Sequence, residues 1–285
     1  MSSRPVSPDL QPCGRRRDGF AWRASALLLI GFGALLLAEV RGPLRPNGQS
    51  KIRRDGRNLC FAALSGLTIG LLQDPLVGPI SRQVRARRWG LLKRFELPAW
   101  LDTVLALLLM DYTLYLWHLL THRIAFLWRF HQPHHTDLEM DASTALRFHF
   151  GEMALSVPYR AAQVALIGVE PAALALWQRL VLASIFFHHS NLRLPLSMER
   201  LLAKVLVTPR LHEIHHSVLT AERNSNWSSG LTLWDRLHGT FRTVQATRTA
   251  TLGVPEFRSP DQVGLDAMLI APFKALLGAR RNLTQ

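Results

Sequence analysis

What this chain can fold into is constrained first by its histidines. All twelve lie between His118 and His238, and ten of them fall in four tight groups. His118 and His122 are spaced H-x-x-x-H, and His131, His134 and His135 are spaced H-x-x-H-H. His188 and His189 are adjacent, and His212, His215 and His216 repeat H-x-x-H-H. On a helix, residues at i, i+3 and i+4 share one face, so each group aims two or three imidazoles at one point. A lone histidine is most simply a surface residue or a hydrogen-bonded core residue. Repeated groups are costly to bury unpaired and need no grouping if exposed, so their spacing reads as that of metal ligands. The only two cysteines, Cys13 and Cys60, are far apart and form no paired motif. The donors are therefore imidazole nitrogens, which suit zinc, copper, iron and nickel.

The rest of the chain reads as apolar runs separated by basic loops. Hydrophobic residues make up 48% of the 285, yet the net charge is +14. The basic residues cluster beside the apolar runs, at Arg15 to Arg17, Arg41 to Arg57 and Arg82 to Arg94. No nucleic-acid-binding motif accompanies them, so they read as contacts with anionic lipid head groups, and nucleic acid is excluded as a partner.

Taken in order, Met1 to Asp18 reads as a flexible basic tail. Ala21 to Val40 is about as long as a bilayer span. No small-x-small cleavage site closes it, which favours a membrane anchor over a cleaved signal peptide. Arg41 to Asn58 is expected to be a basic loop, Leu59 to Ile80 a second apolar run, and Ala99 to Trp117 a third that leads into His118. Asp102, Asp111, Tyr112 and Tyr115 in that run should face protein. Pro133 inside the first H-x-x-H-H places His134 and His135 just inside a helix start. Met153 to Phe187 reads as two helices in a hairpin, which returns the chain to the side where all histidine groups can meet. Leu192 to Val207 holds a short interfacial helix. Thr208-Pro209 is an N-cap and first-turn pair, so His212, His215 and His216 should ride on the helix that follows. Leu265 to Leu277 is a weakly amphipathic helix with Pro272 inside it. Lys and Arg counts in the three basic segments are nearly equal, so charge alone sets no orientation.

Ten grouped histidines exceed the four ligands of one structural zinc or the three of a catalytic one. Two metals with open positions fit the count. Asp137, Glu139, Asp141, Glu152, Glu213 and Asp235 are available to hold outer ring N–H groups, although each alone reads more simply as a solvated charge. His212-Glu213-x-x-His216 also matches the zinc-protease signature H-E-x-x-H, with Glu213 as base. That reading leaves most of the grouped histidines unexplained. A non-enzymatic metal carrier would place histidines or carboxylates inside the spans, whereas here they cluster at span ends.

In their order, these motifs resemble the membrane fatty acid hydroxylase/sterol desaturase superfamily. The resemblance rests on His118 and His122, His131 to His135, H-x-N at His189 to Asn191, T-P-x-x-H-x-x-H-H at Thr208 to His216, and L-W-D-R-L-H-G-T at Leu233 to Thr240. It covers about Leu105 to Phe241. It implies an all-α integral membrane bundle with a histidine-rich di-metal site on helices at the membrane surface. It further implies two iron ions, dioxygen, a lipid substrate (fatty acyl, sterol or related) to be hydroxylated or desaturated, and a separate electron-donor protein. The ligands it implies are His118, His122, His131, His134, His135, His189, His212, His215 and His216. Asn226-Trp227-Ser228 stands where the family usually has N-Y-G. His149, His188 and His238 have no assigned ligand role. The domain reading is a basic tail over 1–20, membrane-anchoring helices over 21–104, a catalytic domain over 105–241, and a C-terminal tail with an interfacial helix over 242–285. The protein is expected to be multi-pass, with its site on the cytoplasmic side.

Overall fold

The structure, a computed structural model, describes residues 15–46, 48–243 and 250–281. It is all-α: among the described residues there is no strand, only isolated bridges such as Leu206–Leu231. Of the expected basic tail, 1–14 lie outside the described residues, while 15–20 already belong to α1 (Arg15–Arg41). Where its side chains are described, α1 exposes Leu27, Leu29, Ile30, Leu37 and Val40.

The second half of the expected loop before Asn58, from Lys51 on, is helix. α2 (Lys51–Thr68) passes through a π-turn at Ile69–Gln73 into α3 (Asp74–Arg87). The π-turn sits just before Pro75 in the first turn of α3, where the missing N–H interrupts the i→i−4 ladder and a wider turn absorbs the break. The basic residues from Lys51 to Asn58 are helical and have partners. Arg54, Arg57 and Asn58 fall on one face of α2 and meet an acidic stretch 80 residues later.

α4 (Ala99–Arg123) carries its hydroxyls back onto its own turns, Thr103 to the Ala99 carbonyl and Thr113 to Leu109. This satisfies them in an apolar helix. Its polar members do face protein: Asp111 accepts from Trp234 Nε1 at 2.7 Å and Tyr115 meets Thr240 at 3.2 Å. α5 (Ala125–His135) differs from expectation, because Pro133 lies in its last turn and not at the start of a new helix. A proline there costs a single ladder bond. The carbonyl of Pro133 is also wanted elsewhere, by Arg147 Nε (2.7 Å) and Thr136 Oγ1 (2.9 Å).

The hairpin is α6 (Phe150–Ile167) and α7 (Pro171–His189). Gly168 ends α6 at φ +87°, a left-handed cap that suits glycine, and Pro171 opens α7. α3, α4, α6 and α7 close on a core of Val77, Ala106, Met110, Val164, Leu174 and Trp177. Then follow α8 (Leu196–Leu202), α9 (Pro209–His215), α10 (Thr220–Arg223), α11 (Leu233–Leu237) and α12 (Leu265–Arg281). α12 does more than lie at an interface. Met268 is buried against Thr136, and Phe273 meets Phe130 edge-on at 5.6 Å.

Among the described residues, three helical segments are long and apolar enough to cross a membrane: 51–94, which carries α2 and α3, Ala99–Arg123 and Pro171–His189. Their outward faces carry Leu67, Leu71, Trp100, Val104 and Leu180 uncovered, a pattern that suits lipid better than water. The chain is a helical membrane protein. The start of α2, the end of α4, the start of α6 and the end of α7 all arrive at one end of the bundle, where the histidines are.

Candidate metal centre

Each histidine group owes its position to a helix end. His118 and His122 occupy the last turns of α4, one above the other at i and i+4. His131, His134 and His135 occupy the last turns of α5, and His188 and His189 end α7. α9 starts where Thr208-Pro209 predicts, with Pro209 in its first turn. The Thr208 hydroxyl makes no cap; the Glu199 carboxylate from α8 accepts the Arg210 N–H at 2.9 Å instead. His212 and His215 lie on α9 and His216 ends it.

Packed together, nine histidines form two groups. His118, His122, His131, His135 and His215 make one; His134, His189, His212 and His216 make the other. Within each group, one ring nitrogen per residue lies within 4.8 Å of all the others. His135 and His216, one from each group, stack at 4.3 Å between ring centres. All nine are buried except His122, which is half-buried.

The outer nitrogens decide what the inner ones can do. His118 Nδ1 faces the Trp227 carbonyl at 2.7 Å, His189 Nδ1 the Ile185 carbonyl at 2.8 Å, and His215 Nδ1 the Ser225 carbonyl at 2.9 Å. A carbonyl only accepts, so each of these Nδ1 atoms carries the proton and donates it. His131 Nδ1 lies 3.0 Å from the Glu152 carboxylate, which fixes the same tautomer. The inward Nε2 atoms of His118, His189 and His215 are therefore bare lone pairs. His118 Nε2 and His215 Nε2 are buried with no partner, and His189 Nε2 sits 3.1 and 3.0 Å from His134 Nε2 and His212 Nε2. Burial, reinforced by the neighbouring rings, pushes His134, His135, His212, His215 and His216 well below the ordinary histidine range. They are neutral, the form that binds metal. Lone pairs buried without a partner are unfavourable, and a cation at the centre of each group satisfies the converging nitrogens together. The residues fit such an ion.

The carboxylates divide. Of the six acids available to hold a ring N–H, only Glu152 touches a ligand-group ring. Asp235 acts one step removed. It accepts from the Trp227 and Ser228 N–H groups (2.9 Å each) and from Thr240 Oγ1 (2.7 Å), and so holds the loop whose Trp227 carbonyl orients His118. This is what Asn226-Trp227-Ser228 does here: Asn226 takes the left-handed φ of 51° that asparagine tolerates, and Trp227 is buried. Gly230 lets that loop close on Asp111, whose carboxylate oxygen occupies the space a Cβ would need.

Asp137, Glu139 and Asp141 are not solvated loop charges. They bind α2, with Arg57–Asp137 at 3.0 Å, Arg54–Asp141 at 3.0 Å and Lys51–Asp141 at 2.9 Å. Burial alone would raise the Asp141 carboxyl, but Arg54 and Lys51 hold it below the usual range. Glu213 does not serve as a base beside His212 and His216. Its carboxylate pairs with buried Arg45 at 3.2 Å and accepts from the Ala250 N–H at 2.8 Å. Arg45 also donates to the Met140 and Ser190 carbonyls, and its backbone exchanges bonds with Asn191. Arg45 and Glu39, whose Oε1 accepts from Asn191 and Ala142, were invisible as site residues in the sequence. Both lie before the motif-bearing region, and nothing in their spacing points to it.

The three remaining histidines stand outside both groups. His188 packs on His212 with ring centres 4.0 Å apart. His149 caps α6 by accepting the Gly151 N–H and bonds the Leu269 carbonyl, so both nitrogens are used. His238 stacks on Tyr115 at 5.1 Å.

Comparison with known proteins matches residues 103–240 to the fatty acid hydroxylase family. The chain is 32% identical over 161 residues, 55% of its own length and 46% of the relative's, to ornithine lipid hydroxylase OlsE of Rhizobium tropici. It is 29% identical to alkylglycerol monooxygenase of Danio rerio over 73% of this chain and 45% of that one. It is 32% identical to a cholesterol 25-hydroxylase-like protein of Danio rerio over 49% and 55%. The chain thus spans about half the length of these curated relatives. No solved structure matches it.

Proposed function

From the membership of residues 103–240 in the fatty acid hydroxylase family, we propose that this chain is a multi-pass membrane oxidoreductase that uses dioxygen to hydroxylate a lipid. The relatives are named for oxidising an ornithine lipid, an alkylglycerol and a sterol, and every one of those is a lipid. Those names favour hydroxylation over desaturation. The observation that carries the reading is the convergence of nine imidazoles in two adjacent groups at one end of an apolar bundle.

Two iron ions are the proposed cofactor. One is held among His118, His122, His131, His135 and His215, the other among His134, His189, His212 and His216. Bound there, the irons would supply oxidation of a C–H bond by dioxygen, chemistry no side chain in this chain can perform. The protein does the rest. Trp227, Ile185, Ser225 and Glu152 hold the outer ring protons and so keep the inner nitrogens bare and aimed. Burial of the surrounding histidines keeps bulk water from the centre. Electrons come from a separate protein. The site faces the cytoplasm, and the segment 51–94, α4 and the α6–α7 hairpin run into the bilayer away from it.

The test is elemental analysis of the full chain in detergent, paired with a lipid screen under labelled dioxygen. About two irons per chain and label in a hydroxylated lipid are expected. A single zinc with no oxidation product would return the protease reading. Metal bound without any oxidation would return the carrier reading.

A further inference from the structure

The half-buried His122 marks where the centre meets its surroundings. Its Nε2 is buried and turned inward, and its ring lies against two tryptophans, half-buried Trp128 and buried Trp227. Trp128 lies 5.0 Å from the His122 ring and Trp227 lies 6.2 Å from it. Each tryptophan carries an arginine on its face. Arg223 Cζ stands 5.2 Å from the centre of Trp128, and Arg123 Cζ stands 5.2 Å from the centre of Trp227. Two guanidiniums thus flank the one open edge of the site, each one ring away from a histidine of the five-membered group.

Stacking occupies the flat face of a guanidinium and leaves its N–H edge free, which is the edge that binds an oxyanion in bidentate fashion. It also fixes the head in place, so less side-chain freedom is lost when a ligand binds. Arg123 is exposed and makes no ion pair or hydrogen bond among the described residues. Arg223 is half-buried. It spends two donors on long bonds, 3.5 Å to the Val218 carbonyl and 3.3 Å to Thr220 Oγ1, and forms no ion pair among the described residues. The carboxylate whose charge reaches it, Glu256, is exposed and therefore screened. Apolar side chains stand beside each cation along the chain: Ile124 and Phe126 next to Arg123, and Leu219 in the turn before Arg223, all exposed. Arg123 closes α4, one of the helices long enough to span a membrane, so this mouth sits at the depth of lipid head groups.

We propose that Arg123 and Arg223, held on Trp227 and Trp128, form the headgroup site for the substrate lipid and select one that carries an anionic phosphate or carboxylate. The assignment rests on the lipid-oxidising reading above and narrows its substrate class. The two arginines are specificity residues that grip the head while the chain reaches past His122.

The test is binding, read separately from oxidation. The full metal-loaded chain in neutral detergent is titrated with dilauroyl phosphatidylglycerol, with dodecanoic acid, and with dilauroyl phosphatidylcholine as the zwitterionic control. Bound lipid is counted by native mass spectrometry. Preference for at least one of the two anionic lipids over phosphatidylcholine is expected, by roughly tenfold or more, as charge-assisted hydrogen bonds give. Which of the two wins tells phosphate from carboxylate. Arg123→Gln and Arg223→Gln should each lower that preference severalfold, the pair should abolish it, and Arg223→Lys should keep part of it. Arg200→Gln, on the exposed face of α8, should leave it unchanged and so separates a site from general surface charge. Metal content equal to wild type certifies that each variant is folded. No preference in the wild type, or a full preference in the folded double variant, overturns the proposal. A preference that vanishes in the double variant, in a protein that oxidises no lipid, keeps the site and removes the function proposed above.

Discussion

The two histidine groups are built alike at their centres and differently at their edges. The five-histidine group meets the surface at half-buried His122, and its outer contacts come from the loop at Ser225 to Ser228 and from Glu152 on α6. The four-histidine group is buried throughout. It is backed by a strap from the N-terminal part of the chain, where Arg45 joins Glu213, Met140 and Ser190 and where Glu39 holds Asn191. The comparison teaches that one group is arranged for access and the other for permanence. A centre that admits a lipid and holds metals, as proposed above, would need both.

Breaking the closed group should have the largest effect. His189→Ala removes a ring whose Nε2 touches two others of its group, and it is expected to cost about half the bound metal and essentially all lipid oxidation. Elemental analysis beside a product assay reads both, and unchanged metal content would remove the distinction between the groups. Next comes the strap. Arg45→Ala leaves Glu213 buried without its counter-charge, with a loss of about 3–5 kcal/mol expected in denaturant unfolding. Arg45→Met with Glu213→Leu should recover most of that loss, since replacing both partners avoids the stranded charge. A double variant no better than the single would show that the strap works through its other contacts.

On the open side, Glu152→Ala takes the acceptor from His131 Nδ1 and frees the ring to turn. Metal affinity of the five-histidine group should fall about 10–100-fold, read by competition with a chelator. An equal fall in both groups would mean that Glu152 serves the fold as a whole. The smallest effect concerns the acidic stretch beside the strap. Because the Asp141 carboxyl is held below its ordinary value, the stability it contributes is present above about pH 4, the unfolded value. That contribution is lost as pH falls through the folded value. Melting temperatures of wild type and Asp141→Asn should differ at neutral pH and converge below about pH 4. A difference that stays constant with pH would assign the effect to packing.

Much of this was open to reading from residues alone because the signals are short-range. Thr208-Pro209 predicts the start of α9, the breaks at Glu170-Pro171 predict the hairpin, and H-x-x-x-H and H-x-x-H-H put rings on shared faces through helical periodicity. The same local logic failed at Pro133. A proline is as compatible with the last turn of one helix as with the first turn of the next, and the choice was made by what Arg147 and Thr136 take from its carbonyl. It failed again over 51–58, where a run of cations reads as a loop until Asp137 and Asp141 arrive to neutralise it.

By itself, then, the sequence determined the helical class, the apolar runs and the identity of the donors, since these depend on composition and on spacing within a turn or two. It did not determine how nine histidines divide between two groups, because His134 and His135 are neighbours in the chain yet fall to different centres. Only the packing of α4, α5, α7 and α9 settles that. Nor did it show that Arg45 and Glu39, which lie well before the first histidine, hold the loops of the closed group. Burial raises the cost of an unpaired charge, and the partner that relieves it can come from any distance along the chain.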